Sequence, residues 1–143
     1  MATESRTVLV LTNDSGMGHR HAATATIAAI EQRYGDSLRA VLANPFEERS
    51  APAALQRLQA DFSEIVQRAP ALYRLGHNVG NNAATTWLME QATTRLMLQT
   101  IDNILTRRRP PDLIVITHPA FIYTLVSYRR EKRQSWPIVV LVT

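Results

Sequence analysis

The sequence predicts an α/β domain in which a parallel sheet carries helices on its faces. Three observations carry that expectation. Short apolar runs recur at Val8 to Leu11, Leu38 to Ala43, Asp112 to Thr117 and Trp136 to Thr143; each reads as a strand, and the first is short and branched enough to be buried on both faces. The segments between them place apolar residues three and four apart, the spacing of helices packed on a sheet. A glycine-containing turn joins the first run to the first helix, as in Rossmann-like folds.

The first run passes through Asn13-Asp14-Ser15-Gly16-Met17-Gly18 into a helix whose apolar positions are Ala23, Ile27, Ile30 and Tyr34. A strand, a glycine turn and a helix N-terminus bring backbone N–H groups and the positive end of the helix dipole to the C-terminal edge of the sheet, where anions and polar ligands bind. Gly16 and Gly18 are able to take positive φ and to let a ligand approach the backbone, and Asp14 or Ser15 is able to cap the first N–H groups. His19 and Arg20 follow in the first helical turn, and His19 is placed to exchange a proton with whatever the loop holds. Close packing of helix on strand is the other reason for glycines here. A dinucleotide fingerprint fails, because its third glycine falls on His21 and no ribose-binding acid follows Leu42-Ala43-Asn44-Pro45. A Walker loop is excluded for want of Gly-Lys-Ser/Thr. His19 and His21 sit roughly 200° apart on a helix and do not form a shared metal site.

Gly35-Asp36 stops the first helix, and Pro45 ends the second strand. Residues 44–83 form a helical and loop excursion. It holds a loop at 44–53, a helix with Leu55, Leu58, Phe62, Ile65 and Val66 on one side, a break at Pro70, and a loop at 71–82 containing Tyr73 and His77. Residues 84–106 form a long helix closed by Arg107-Arg108-Arg109 and Pro110-Pro111. The third strand, 112–117, runs into His118-Pro119, with Pro119 suited to the first turn of a helix whose buried face is Phe121, Ile122, Leu125 and Val126. His118 therefore stands at the same sheet edge as His19, as a cleft residue or as a cap on its own backbone. Arg129, Arg130, Lys132 and Arg133 close this helix, so the two basic helix ends share one edge of the fold, a surface for anionic lipid or simply a solvated one.

The chain of 143 residues is long enough for one core, has no cysteine and so no thiol or disulfide chemistry, and shows no apolar run of membrane-spanning length. Fifteen arginines and one lysine against twelve acids give a net charge of +4, which favours anionic partners. Nucleic acid is not expected, since no aromatic-basic platform or helix-turn-helix signature accompanies the charge. The expected location is cytoplasmic and peripheral at a membrane.

Asp14-Ser15-Gly16-Met17-Gly18-His19-Arg20, with Ala22-Ala23 and Ala25 after it, resembles the N-terminal glycine loop of the monogalactosyldiacylglycerol synthases and the processive diacylglycerol glucosyltransferases; Met17 stands where that family usually has a third glycine. Thr117-His118-Pro119 resembles the His-Pro that the family carries after this strand. The resemblance implies the N-terminal, acceptor-side half of a GT-B glycosyltransferase. On that reading the chain is a single domain, residues 1–143, of a longer two-domain enzyme whose absent C-terminal domain holds most of the sugar-nucleotide contacts, and alone it should be nearly inactive. The implied reaction transfers a hexose from a UDP-sugar, a substrate rather than a bound cofactor, to the hydroxyl of diacylglycerol. His19 is the expected base, Gly16 and Gly18 shape the loop with Asp14, Ser15 and Arg20 orienting it, and His118 and Pro119 line the cleft. No metal is expected. The alternative is a nucleotide- or phosphate-binding module in which His19 only donates a hydrogen bond.

Overall fold

The computed structural model of the chain describes residues 5–14, 17–57, 83–107 and 109–142. The expectations for Ser15, Gly16, the helix beyond Arg57, His77 and the rest of 58–82 lie outside these residues. Strand β1 (Arg6–Leu11) leads to helix α1 (Met17–Tyr34), a 3₁₀ turn (Gly35–Ser37) and β2 (Leu38–Ala43). Helix α2 (Ala83–Arg107) precedes β3 (Leu113–Ile116), a second 3₁₀ turn (Pro119–Phe121), α3 (Ile122–Glu131) and β4 (Ile138–Val140).

The four strands form one parallel sheet in the order β2-β1-β3-β4, so the fold is α/β and Rossmann-like. Side chains alternate across it, which is why the strands read as continuously apolar. Val8, Val10 and Val115 face α1 through Ala23, Ile27 and Ile30. Leu9, Leu11, Ile114 and Ile116 face the other way, onto Met97 and Ile101 of α2, Leu125 and Tyr128 of α3, and Trp136. Leu11, Met97, Ile101, Ile114, Ile116 and Leu125 are all fully buried, so the larger core lies on the α2–α3 side.

Four details depart from the expected pattern. Tyr34 is 47% exposed, with the Arg33 guanidinium 5.9 Å from its ring centroid, because α1 has already passed the end of the sheet when it reaches the 3₁₀ turn. Val126 is 45% exposed; Thr124 and Tyr128 take the inward positions of α3 beside Leu125. β4 is only three residues long and lies at the sheet edge, which leaves Val139 and Val140 each 42% exposed. Gly18 is helical rather than a positive-φ loop residue, since α1 has begun at Met17. Gly35, with φ at +51°, does use glycine's freedom to end the α1 segment.

The chain goes from β1 to β2 on one side and then crosses to β3 on the other. Strand order therefore reverses at β1, and the turns leaving β1 and β3 diverge above the C-terminal edge. Open α/β sheets bind ligands in such crevices.

Candidate active site

Two turns build the crevice. The β1–α1 turn carries buried Thr12 and Asn13, then Asp14, and after Met17 and Gly18 the chain presents His19 and Arg20. The β3–α3 turn carries buried Thr117, then His118 and Pro119. One backbone and one side-chain bond lock them together: Thr117 N–H donates to the Leu11 carbonyl at 3.1 Å, and the Thr117 hydroxyl donates to Thr12 Oγ1 at 3.1 Å.

His19 reaches across this junction. Its Nδ1 lies 2.7 Å from the Thr117 carbonyl oxygen. A carbonyl only accepts, so Nδ1 carries the proton, and in the neutral ring the lone pair then belongs to Nε2. The backbone of β3 thus fixes both the plane and the tautomer of a potential base.

His118 is held in the opposite sense. As the N-cap of the 3₁₀ turn, its Nδ1 accepts the Ala120 N–H at 3.1 Å, with Pro119 at the first position where no N–H is needed. The two rings meet edge to face, with centroids 4.5 Å apart and planes at 78°. Burial first, and the charge of a protonated His19 second, push His118 down to about 4, so near neutrality it is an uncharged ring. The expected capping role is therefore present, in a ring that also stands against His19.

Asp14 and Arg20 form a two-point pair, Nε to Oδ1 and Nη2 to Oδ2, both at 2.7 Å. That bond to Arg20 is the main reason the Asp14 carboxyl sits below the usual range, and Asp14 in turn raises Arg20. Glu47, at the C-terminal end of β2, brings a second carboxylate 3.6 Å from Arg20 Nη2. Glu47 titrates above the ordinary glutamate range, chiefly because Asp14 is beside it and then through burial; the guanidinium's opposing pull is smaller. Arg20 is therefore engaged by two carboxylates. Glu47 escaped the sequence reading, although its place just past the second strand put it at the correct sheet edge.

Among the described residues, nothing beyond Gly18's chain neighbours and its own helix backbone lies within 4 Å of where a Cβ would stand. The first turn of α1 is open to a ligand at that point, and a side chain there would narrow the approach.

The family model described as monogalactosyldiacylglycerol (MGDG) synthase matches residues 19–143, from the histidine of the crevice to the end of the chain. The chain belongs to the MGDG synthase family. No curated protein and no solved structure matches it. Membership of the MGDG synthase family points to glycolipid glycosyltransfer. The matched span holds both crevice histidines, Arg20 and Glu47, whereas Asp14 precedes it.

Proposed function

We propose that this chain is the acceptor-side domain of a glycolipid synthase, in which His19 is the general base for transfer of a hexose from a UDP-sugar to the hydroxyl of diacylglycerol. The observation that carries the reading is the His19 Nδ1 contact with the Thr117 carbonyl, which holds the ring's proton on Nδ1 and so makes Nε2 its basic nitrogen. As the acceptor oxygen attacks the anomeric carbon, its O–H proton passes to Nε2 and the C–O bond to the diphosphate breaks, the electron pair leaving with the nucleotide. In this reading Arg20, Asp14 and Glu47 orient the turn, Gly18 leaves its approach open, and Pro119 sets the path of the opposing wall.

The phosphate-binding alternative is less well supported. The Arg20 guanidinium, already paired to Asp14 and flanked by Glu47, brings two carboxylates toward an incoming phosphate, and His118 is uncharged near neutrality.

The test is sugar transfer from UDP-glucose and UDP-galactose to diacylglycerol in anionic liposomes, with the full-length product of the gene. His19→Ala should lower kcat by about a hundredfold or more with folding intact, the range for losing a positioned general base. Transfer that survives the substitution removes His19 as base, and wild-type protein that modifies no lipid acceptor while binding nucleotide favours the alternative.

A further inference from the structure

The two crevice histidines are locked in opposite tautomers by backbone groups. The Thr117 carbonyl requires the His19 proton on Nδ1. The Ala120 N–H requires the His118 lone pair on Nδ1, so the proton of that neutral ring is on Nε2. One ring therefore offers an acceptor at Nε2, and its neighbour, 4.5 Å away between centroids, offers a donor at the equivalent atom.

A hydroxyl group is both donor and acceptor, and this pair complements both of its halves. Resting on the transfer reading above, we infer that His118 is a second catalytic residue, its Nε2–H donating to the same acceptor oxygen whose proton His19 removes. Two hydrogen bonds of about 2.9 Å to one oxygen span the separation of adjacent rings of this kind. The bond from His118 strengthens as negative charge grows on the oxygen, so it acts mainly in the transition state. Neutrality is part of the device: a neutral donor stabilises the forming alkoxide without adding a positive charge that would oppose protonation of His19.

Capping alone does not account for histidine at this position. Asparagine caps a helical turn at least as well through its side-chain oxygen. What asparagine lacks is the ring, which meets His19 edge to face and carries a second nitrogen besides the capping one.

His118→Asn separates the two roles, because its oxygen can still accept the Ala120 N–H. In the full-length protein with a UDP-sugar and diacylglycerol, the expected result is a fall in kcat of roughly a hundredfold, the range for losing one oxyanion donor, with little change in KM or melting temperature. Histidine-selective ¹⁵N labelling of the wild type at neutral pH should show His19 protonated on Nδ1 and His118 on Nε2. Near-wild-type kcat in His118→Asn, or a His118 ring protonated on Nδ1, overturns the inference while leaving His19 as base. Loss of activity in His118→Asn accompanied by a large fall in melting temperature also overturns it, in favour of a purely structural cap. An inert wild type overturns the transfer reading itself, and the inference falls with it.

Discussion

At His118 the neutral ring is favoured by burial and by the charge that His19 carries when protonated, which together bring its titration from 6.5 to about 4. The unfolded chain thus binds a proton that the folded chain refuses between those two values, and stability falls as pH drops from about 6.5 toward 4. The contribution is on the order of 2 kcal/mol once partial exposure is discounted. Denaturant melts of wild type and His118→Asn across this range should show it: the wild type loses more stability than the variant on acidification, and parallel curves would mean that His118 is not held neutral by the fold. At this scale the sequence was informative about residue types. His19, Arg20 and His118 were each legible from their places after apolar runs. Their pairing was not, because the Thr117 carbonyl that orients His19 lies 98 positions away and backbone acceptors leave no mark on composition. Glu47 was missed for a similar reason, since its meaning depends on Asp14 and Arg20, which reach it only through the β1–β2 register.

Among the elements, α3 carries two buried hydroxyls whose removal should have opposite signs. Tyr128 donates to Asp102 Oδ1 at 2.8 Å and so pins α3 to α2, while burial and this carboxylate raise the phenol to about 12. Thr124 is fully buried, and its Oγ1 finds no hydrogen-bond partner among the described residues. Tyr128→Phe should destabilise by about 1 kcal/mol, the net worth of one such bond. Thr124→Val, which replaces an unsatisfied hydroxyl with a methyl of similar size, should stabilise by about the same amount. Urea midpoints for the two variants, measured beside the wild type, check both signs. Helical spacing had marked Leu125 and Phe121 as inward-facing and had also chosen Val126. The period sets a stripe but not its width, and Thr124 and Tyr128 displaced Val126 because α3 rolls toward α2, an orientation that depends on a partner helix remote in sequence. β1 was legible from its unbroken apolar run, β2 from the apolar residues that follow Arg39, and the long helix from the three- and four-residue spacing of Leu98, Ile101 and Leu105. β4 was overextended, since a valine run at a sheet edge has the same composition as one in the middle.

Across the whole molecule, the basic helix ends and the histidine crevice lie on opposite edges of the sheet. α1, α2 and α3 run antiparallel to the strands, so Arg107 and the group Arg129, Arg130, Lys132 and Arg133 gather at the N-terminal edge, while His19 and His118 stand at the C-terminal one. The two edges are separated by about 20 Å of six-residue strand, more than twice the screening length of about 8 Å in physiological salt. The crevice edge is instead rimmed by exposed apolar side chains at helix starts, Met17 at 68%, Trp87 at 59% and Tyr123 at 56%. α2, with 25 residues, is about 37 Å long and carries Trp87 beyond the strand ends. On the proposed transfer reading the acceptor is a diacylglycerol hydroxyl, which remains at the bilayer surface, so His19 acting as its base has to face that surface. Tryptophan and tyrosine favour the same interfacial zone, and docking by the basic edge would turn the base away from its substrate. Trp87→Glu should therefore lower affinity for anionic vesicles about tenfold, by removing buried apolar surface and adding a like charge, and should slow transfer to vesicle-embedded diacylglycerol but not to a water-soluble alcohol. Reversing Arg129, Arg130, Lys132 and Arg133 should leave turnover on vesicles nearly unchanged. If the reversal abolishes vesicle binding and Trp87→Glu does not, the domain docks by its basic edge and the acceptor must leave the bilayer to reach His19.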